Sequence, residues 1–130
     1  MPFTEVRSSQ IFSSPAPFSM ATITQSARLL HISGQVSQDV DGNTVGPGDV
    51  EKQTAQVIEH INTLVTEQGG TLADICKVTI FLTSRDHLPK VMEVRRRYFK
   101  KPYPATSAVI VAGLANAEWM IEIEALAALK

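Results

Sequence analysis

The sharpest chemical feature of this sequence is a carboxylate set in an apolar run, Glu122, within Trp119-Met120-Ile121-Glu122-Ile123-Glu124-Ala125-Leu126. Strand alternation puts Trp119, Ile121, Ile123 and Ala125 on one face and Met120, Glu122, Glu124 and Leu126 on the other. A carboxylate walled off from water has a raised pKa and exchanges a proton near neutral pH, which makes Glu122 the candidate general acid or base. The plainer reading is an interface ion pair. Glu124 faces the same way and reads as structural, paired with a Lys or Arg.

Other polar groups fall where strands end. Ser33 stands beside Gly34, whose missing side chain lets a ligand approach closely, although a serine that simply terminates a strand is equally common. Thr106 and Ser107 can present hydroxyls or backbone N–H groups to a ligand, or fill strand positions that favour threonine. His31 alternates with Ser33, the outline of a base and a nucleophile, but no third orienting residue is identifiable and a core or interface histidine is the better reading. Cys76 has no cation beside it and reads as a buried, inert thiol. His60 and His87 fall on predicted helices and read as solvated. Arg95-Arg96-Arg97-Tyr98 with Lys100-Lys101 is a basic cluster with an aromatic, of the kind that contacts RNA. Cations in the last turn of a helix also complement its dipole, and a solvated helix end is the preferred reading.

The elements that must position these residues follow from periodicity. Residues 1–20 mix serine, proline and phenylalanine (Ser13, Ser14, Pro15, Pro17, Phe18) and predict an arm or edge segment, since prolines at this spacing resist helix and central strand. Arg28–Ser33 reads as a buried strand closed by Gly34, and Asp41-Gly42-Asn43 marks the turn of a hairpin. Asp49 is a good N-cap for a helix whose apolar residues, Ala55, Ile58, Ile61, Leu64 and Val65, recur on one side until Gly69-Gly70. Cys76–Thr83 then alternates with period two. Asp86 opens a second helix, with Leu88, Val91, Met92, Tyr98 and Phe99 on one side and Pro102 and Pro104 forbidding continuation. Strands over Ser107–Ala112 and Trp119–Leu126 complete the order β-β-α-β-α-β-β.

That order predicts an α+β fold in which two helices cover one face of a mostly antiparallel sheet, as a single domain over 1–130. The opposite face mixes acidic and apolar side chains, and so is expected to be buried against another subunit. An apolar share of 44%, a charged share of 19% and a net charge of -1 are ordinary, and imply neither a nucleic-acid nor a membrane partner. One cysteine permits no intramolecular disulfide and no multi-cysteine metal site. With no signal-peptide pattern and no apolar run long enough to span a membrane, the expected location is cytoplasmic.

Taken in order, several segments resemble the RidA/YjgF family of small trimeric proteins that hydrolyse reactive enamines and imines. The resemblance runs from about Pro17 to the C-terminus. It rests on Ser33-Gly34-Gln35, Asp41-Gly42 with Gly46-Pro47-Gly48, and Ala73-Asp74-Ile75 with Lys77-Val78, then on Pro104-Ala105 and Ile121-Glu122-Ile123-Glu124-Ala125. It implies a chorismate-mutase-like barrel trimer with sheets facing inward, helices outside and a small-molecule pocket at each subunit interface, and no metal or organic cofactor. Glu122 is implied to handle a water or proton, and Ser33 to line the pocket.

Three positions depart from the family pattern. Thr106 stands where an arginine grips the substrate carboxylate, Phe18 where a tyrosine is usual, and Met92 where the second helix usually carries an asparagine. A guanidinium offers a carboxylate a bidentate fork that no threonine hydroxyl replaces. Charged hydrogen bonds are worth about 1.5 to 3 kcal/mol each, so losing two costs roughly 10²- to 10⁴-fold in binding. Typical 2-aminoacrylate deamination is therefore not expected. Either the substrate has no carboxylate there, another cation such as Arg28 reaches in, or the pocket only binds. The implied activity is hydrolysis of a small enamine or imine, with a non-catalytic metabolite-binding trimer as the alternative and an RNA-acting protein as the third reading.

Overall fold

A computed structural model describes residues 2–10, 15–19, 21–25 and 28–130; Ser13 and Ser14 of the predicted arm lie outside the described residues. The elements are β1 (Phe3–Val6), β2 (Ala21–Thr24), β3 (Arg28–Val36), α1 (Val50–Glu67), β4 (Ile75–Leu82), α2 (Leu88–Tyr98), β5 (Ala105–Ile110) and β6 (Ile121–Leu129). The expected α+β arrangement holds, with β1 and β2 added ahead of β3 and no full return strand after it. β1 pairs antiparallel with β2, and Phe3 is buried against Cys76 and Ala128. Four residues are too short for a period-two signal, so the sequence does not announce β1.

The main sheet has the order β3-β6-β4-β5. Its pairs are antiparallel except β4 with β5, which run parallel because α2 is the crossover between them. The hairpin predicted after Gly34 is reduced to a single bridge, Gln38 to Thr44. Asp39 closes that loop instead, its carboxylate accepting from the backbone N–H groups of Asp41 and Asn43 at 3.0 and 2.9 Å.

The first helix begins and ends for local reasons. The Asp49 side chain accepts from the Lys52 N–H at 3.0 Å, and α1 stops where Gly69 turns to φ 86° and Gly70 N–H donates to the Val65 carbonyl. Asp86 does not open α2 as expected: it lies inside a single 3₁₀ turn over Arg85–His87, where its N–H donates to the capping Ser84 hydroxyl, and α2 follows from Leu88. Val57, Ile58, Ile61 and Val65 of α1 and Val91 and Val94 of α2 pack on Val78, Ile80, Leu82, Ile121 and Ile123. Each such side chain contributes about 1.5 to 3 kcal/mol of transfer free energy.

The sheet face away from the helices is mixed, as its sequence required. The β1–β2 hairpin covers one end of it through Phe3, and the Thr22 hydroxyl donates to the Cys76 carbonyl at 2.9 Å. The rest leaves Leu29, Val109 and Glu124 exposed. Among the described residues no helix is long and apolar enough to cross a membrane.

Candidate functional site

Glu122 sits on β6 opposite Val36 of β3 and Phe81 of β4. Its neighbours Ile121 and Ile123 belong to the core, so alternation turns its carboxylate to the mixed face, where it is half-buried. The pairing of β3 with β6 slips between Ile32 and Gln35, and this irregularity carries Ser33 and Gly34. The Glu122 carboxylate occupies the room that the glycine leaves, because a β-carbon on Gly34 would fall 2.0 Å from Oε2 and 2.7 Å from the carboxyl carbon. Ser33 is exposed and opens onto an adjoining hollow of about 310 Å³ lined by His31, Lys77, Thr79 and Glu124 among others. The mixed face thus gathers the acid, the glycine and the serine along one strand pair.

The β5 residues lie elsewhere. Thr106 pairs with Val78 of β4, whereas Glu122 pairs with Phe81, three positions and about 10 Å further along that strand. Thr106 also points the other way, toward α2: its Oγ1 accepts from Nη2 of Arg95 at 2.9 Å and donates to the Pro104 carbonyl at 3.0 Å. Ser107, one residue on, pairs with Thr79 and is exposed. Met92 is half-buried against the core on α2. Phe18 is half-buried and precedes Ser19, which bridges to Ala105 and donates its N–H to the Pro104 carbonyl at 3.2 Å. Phe18 and Thr106 therefore lie around the start of β5 and Met92 on α2, apart from Ser33, Gly34 and Glu122.

Arg95 is the residue that sequence reading placed wrongly. The expected solvated helix end holds for Arg96 and Arg97, which are exposed, but Arg95 is only 1% exposed. It falls in the buried stripe four residues after Val91 and four before Phe99, a spacing that was legible in the sequence but was masked by its place in a run of three arginines. Its guanidinium carbon stands 5.6 Å from the centre of the Phe99 ring. Nη1 finds no hydrogen-bond partner among the described residues. Burial pushes the guanidinium pKa down to about 10, opposed in part by the nearby Tyr103.

The remaining candidates take plainer places. His31 is exposed on the mixed face rather than buried. Arg28 does not reach the start of β5: its Nε and Nη2 donate to the Lys130 carbonyl at 3.3 and 3.1 Å. His60 is half-buried and hydrogen-bonded with Gln56 at 3.1 Å, and His87 is half-buried beside α2. Cys76 is buried, with its thiol pushed up by desolvation.

A family model described as Endoribonuclease L-PSP matches residues 9–129. The chain belongs to this family. It is the RidA/YjgF grouping to which the sequence motifs pointed. A RutC family protein of Pyrococcus abyssi is 33% identical over 90% of this chain and 94% of its own length. A 2-iminobutanoate/2-iminopropanoate deaminase of Dermatophagoides farinae is 31% identical over 85% of this chain and 84% of its own. The crystal structure of YyfB, a Rid family protein of unknown function from Yersinia pestis, superposes with a TM-score of 0.91 at 32% identity, covering 99% of this chain and 100% of that one. An imine-hydrolase or deaminase role is thereby supported for this L-PSP family member at the level of the family.

Proposed function

We propose that this protein is a hydrolase of small imines or enamines, acting without a metal or organic cofactor at pockets formed between the subunits of a cytoplasmic homotrimer. The observation that carries the reading is the seat of the Glu122 carboxylate over Gly34, at a strand irregularity that exposes the neighbouring Ser33. A half-buried carboxylate at that seat can orient a water toward an electrophilic C=N carbon and take up its proton, while Ser33 and local backbone groups hold the nitrogen that leaves as ammonia. Glu122 is assigned the catalytic role, and Ser33, Gly34, Phe18, Met92, Thr106 and Ser107 the pocket.

A second chain is part of this proposal because one chain keeps the two groups apart. Thr106 faces α2 and Glu122 the opposite face, about 10 Å further along β4. Placing the β5 start of one copy against the β3–β6 seat of the next would unite them. The relative named as a 2-iminobutanoate/2-iminopropanoate deaminase supports the reaction class.

Glu122→Gln tests the assignment. It keeps the shape of the side chain and removes its basicity, so ammonia release from an imine generated in situ is expected to fall by about 10²- to 10⁴-fold while the assembly keeps its mass in solution. Undiminished turnover in that variant would remove Glu122 from the mechanism. Thermal shifts with metabolites and no ammonia release from the wild-type protein would instead establish a binder.

A further inference from the structure

The buried guanidinium of Arg95 is the least explained charge in the molecule. It is 1% exposed, no carboxylate pairs with it among the described residues, and only one of its arms is held by hydrogen bonding, through Nη2 to Thr106. Nη1 is shut from solvent with no hydrogen-bond partner among the described residues. An uncompensated buried cation is costly to fold, whereas a guanidinium with one arm fixed and the other free is half of a carboxylate clamp.

Resting on the hydrolase reading above, we propose that Arg95 supplies the anion-binding group of the pocket, so that the substrate carries a carboxylate even though β5 offers only Thr106. Thr106 then has a positioning role. Its hydroxyl donates to the Pro104 carbonyl and accepts from Nη2, which anchors the guanidinium and leaves Nη1 to the ligand. Phe99, the residue that follows α2, supports the guanidinium with its ring. Arg95 lies just behind the start of β5, where Ala105 and Thr106 are half-exposed and Ser19 bridges to Ala105 along the strand edge, so the way in is over Thr106. A small planar carboxylate reaching Nη1 satisfies the donor that the described residues leave unpaired. Arg28 cannot serve, being spent on the Lys130 carbonyl at the far end of β3.

The test is binding of 2-oxobutanoate against its neutral amide, measured by calorimetry on the wild-type protein and on the Arg95→Met, Thr106→Val and Glu122→Gln variants. The wild-type protein is expected to prefer the acid. Arg95→Met is expected to lose about tenfold to hundredfold in affinity for the acid and nothing for the amide. Thr106→Val, which leaves the arginine in place but unanchored, is expected to weaken the acid severalfold, and this variant decides the matter if Arg95→Met does not fold. Glu122→Gln is expected to keep the preference, so the binding role can stand even if the catalytic assignment falls. Equal affinity for acid and amide in the wild-type protein, or an unchanged preference in Arg95→Met or Thr106→Val, overturns the proposal. So does an Arg95→Met protein that changes its oligomeric mass, which would identify the missing anion as a carboxylate of a second copy.

Discussion

The carboxylate of Glu122 fills the space where Gly34 has no side chain, close enough that a β-carbon on Gly34 would meet Oε2 at 2.0 Å. The contact links two strands and two otherwise separate sequence signals, a glycine after a strand and an acid in an apolar run. It makes the glycine a requirement of the acid's position rather than of a turn.

Gly34→Ala follows directly from that relationship. The new methyl must displace the carboxylate, the free end of a flexible side chain, so the fold is expected to survive with a loss of about 1 kcal/mol or less. Turnover of an imine is expected to fall by about 10²-fold, because a catalytic group moved by an ångström loses its attack geometry. Steady-state kinetics beside a urea melt separate the two; a Gly34→Ala enzyme with full turnover would detach the glycine from the site.

Arg95→Met replaces a desolvated cation by an apolar side chain that the core can hold, and is expected to stabilise the ligand-free fold by ~1 to 3 kcal/mol. The sign comes from the guanidinium pKa, which burial depresses to about 10, well below its ordinary value. Below pH 10 both folded and unfolded chains carry the charge and the folding penalty is complete; it is relieved only as pH rises through 10. The gain is therefore expected to be flat across pH 6 to 8 in denaturant titrations, and a destabilised Met variant would show that the bond to Thr106 and the Phe99 contact outweigh desolvation.

Cys76 is 2% exposed, its thiol reaches the Leu126 carbonyl at 3.4 Å, and burial raises its pKa. Thiolate is the reactive form, so native protein is expected to resist a thiol-reactive chromogen over hours and to react within minutes in denaturant. Rapid labelling of the native protein would mean that the Phe3 hairpin lifts off the sheet.

Glu5 on β1 accepts hydrogen bonds from Arg7 and from the Ser19 hydroxyl, the latter at 3.1 Å, and its pKa lies below the ordinary 4.5, chiefly through Arg7. A carboxyl with a depressed folded pKa gives stability that is complete above its ordinary value and is lost as pH falls through the folded one. Amide exchange in residues 3–6 is thus expected to accelerate below about pH 4.5 relative to β4, and Glu5→Gln is expected to remove that step. A pH-independent profile in the wild-type hairpin would assign its docking to Phe3 alone.

Local information in the sequence determined most of the framework. The Asp49 cap, the Gly69-Gly70 stop and the switch from helical to alternating apolar spacing are short-range effects, written within a few residues, and they fixed α1 and the core faces of β4 and β6. Glu122, Ser33 and Gly34 were legible for the same reason, each being unusual within its own strand.

Only the tertiary structure decided what depends on contact between distant segments. The parallel placement of β5 turned Thr106 toward α2 and Ser107 away from it, the docking of Phe3 made a strand of an apparent arm, and the packing of α2 buried Arg95 while leaving Arg96 and Arg97 in water. A run of three arginines is indistinguishable by composition. The spacing from Val91 and to Phe99 sets Arg95 on the apolar stripe, but that its guanidinium loses its water altogether is decided by how α2 packs on the sheet.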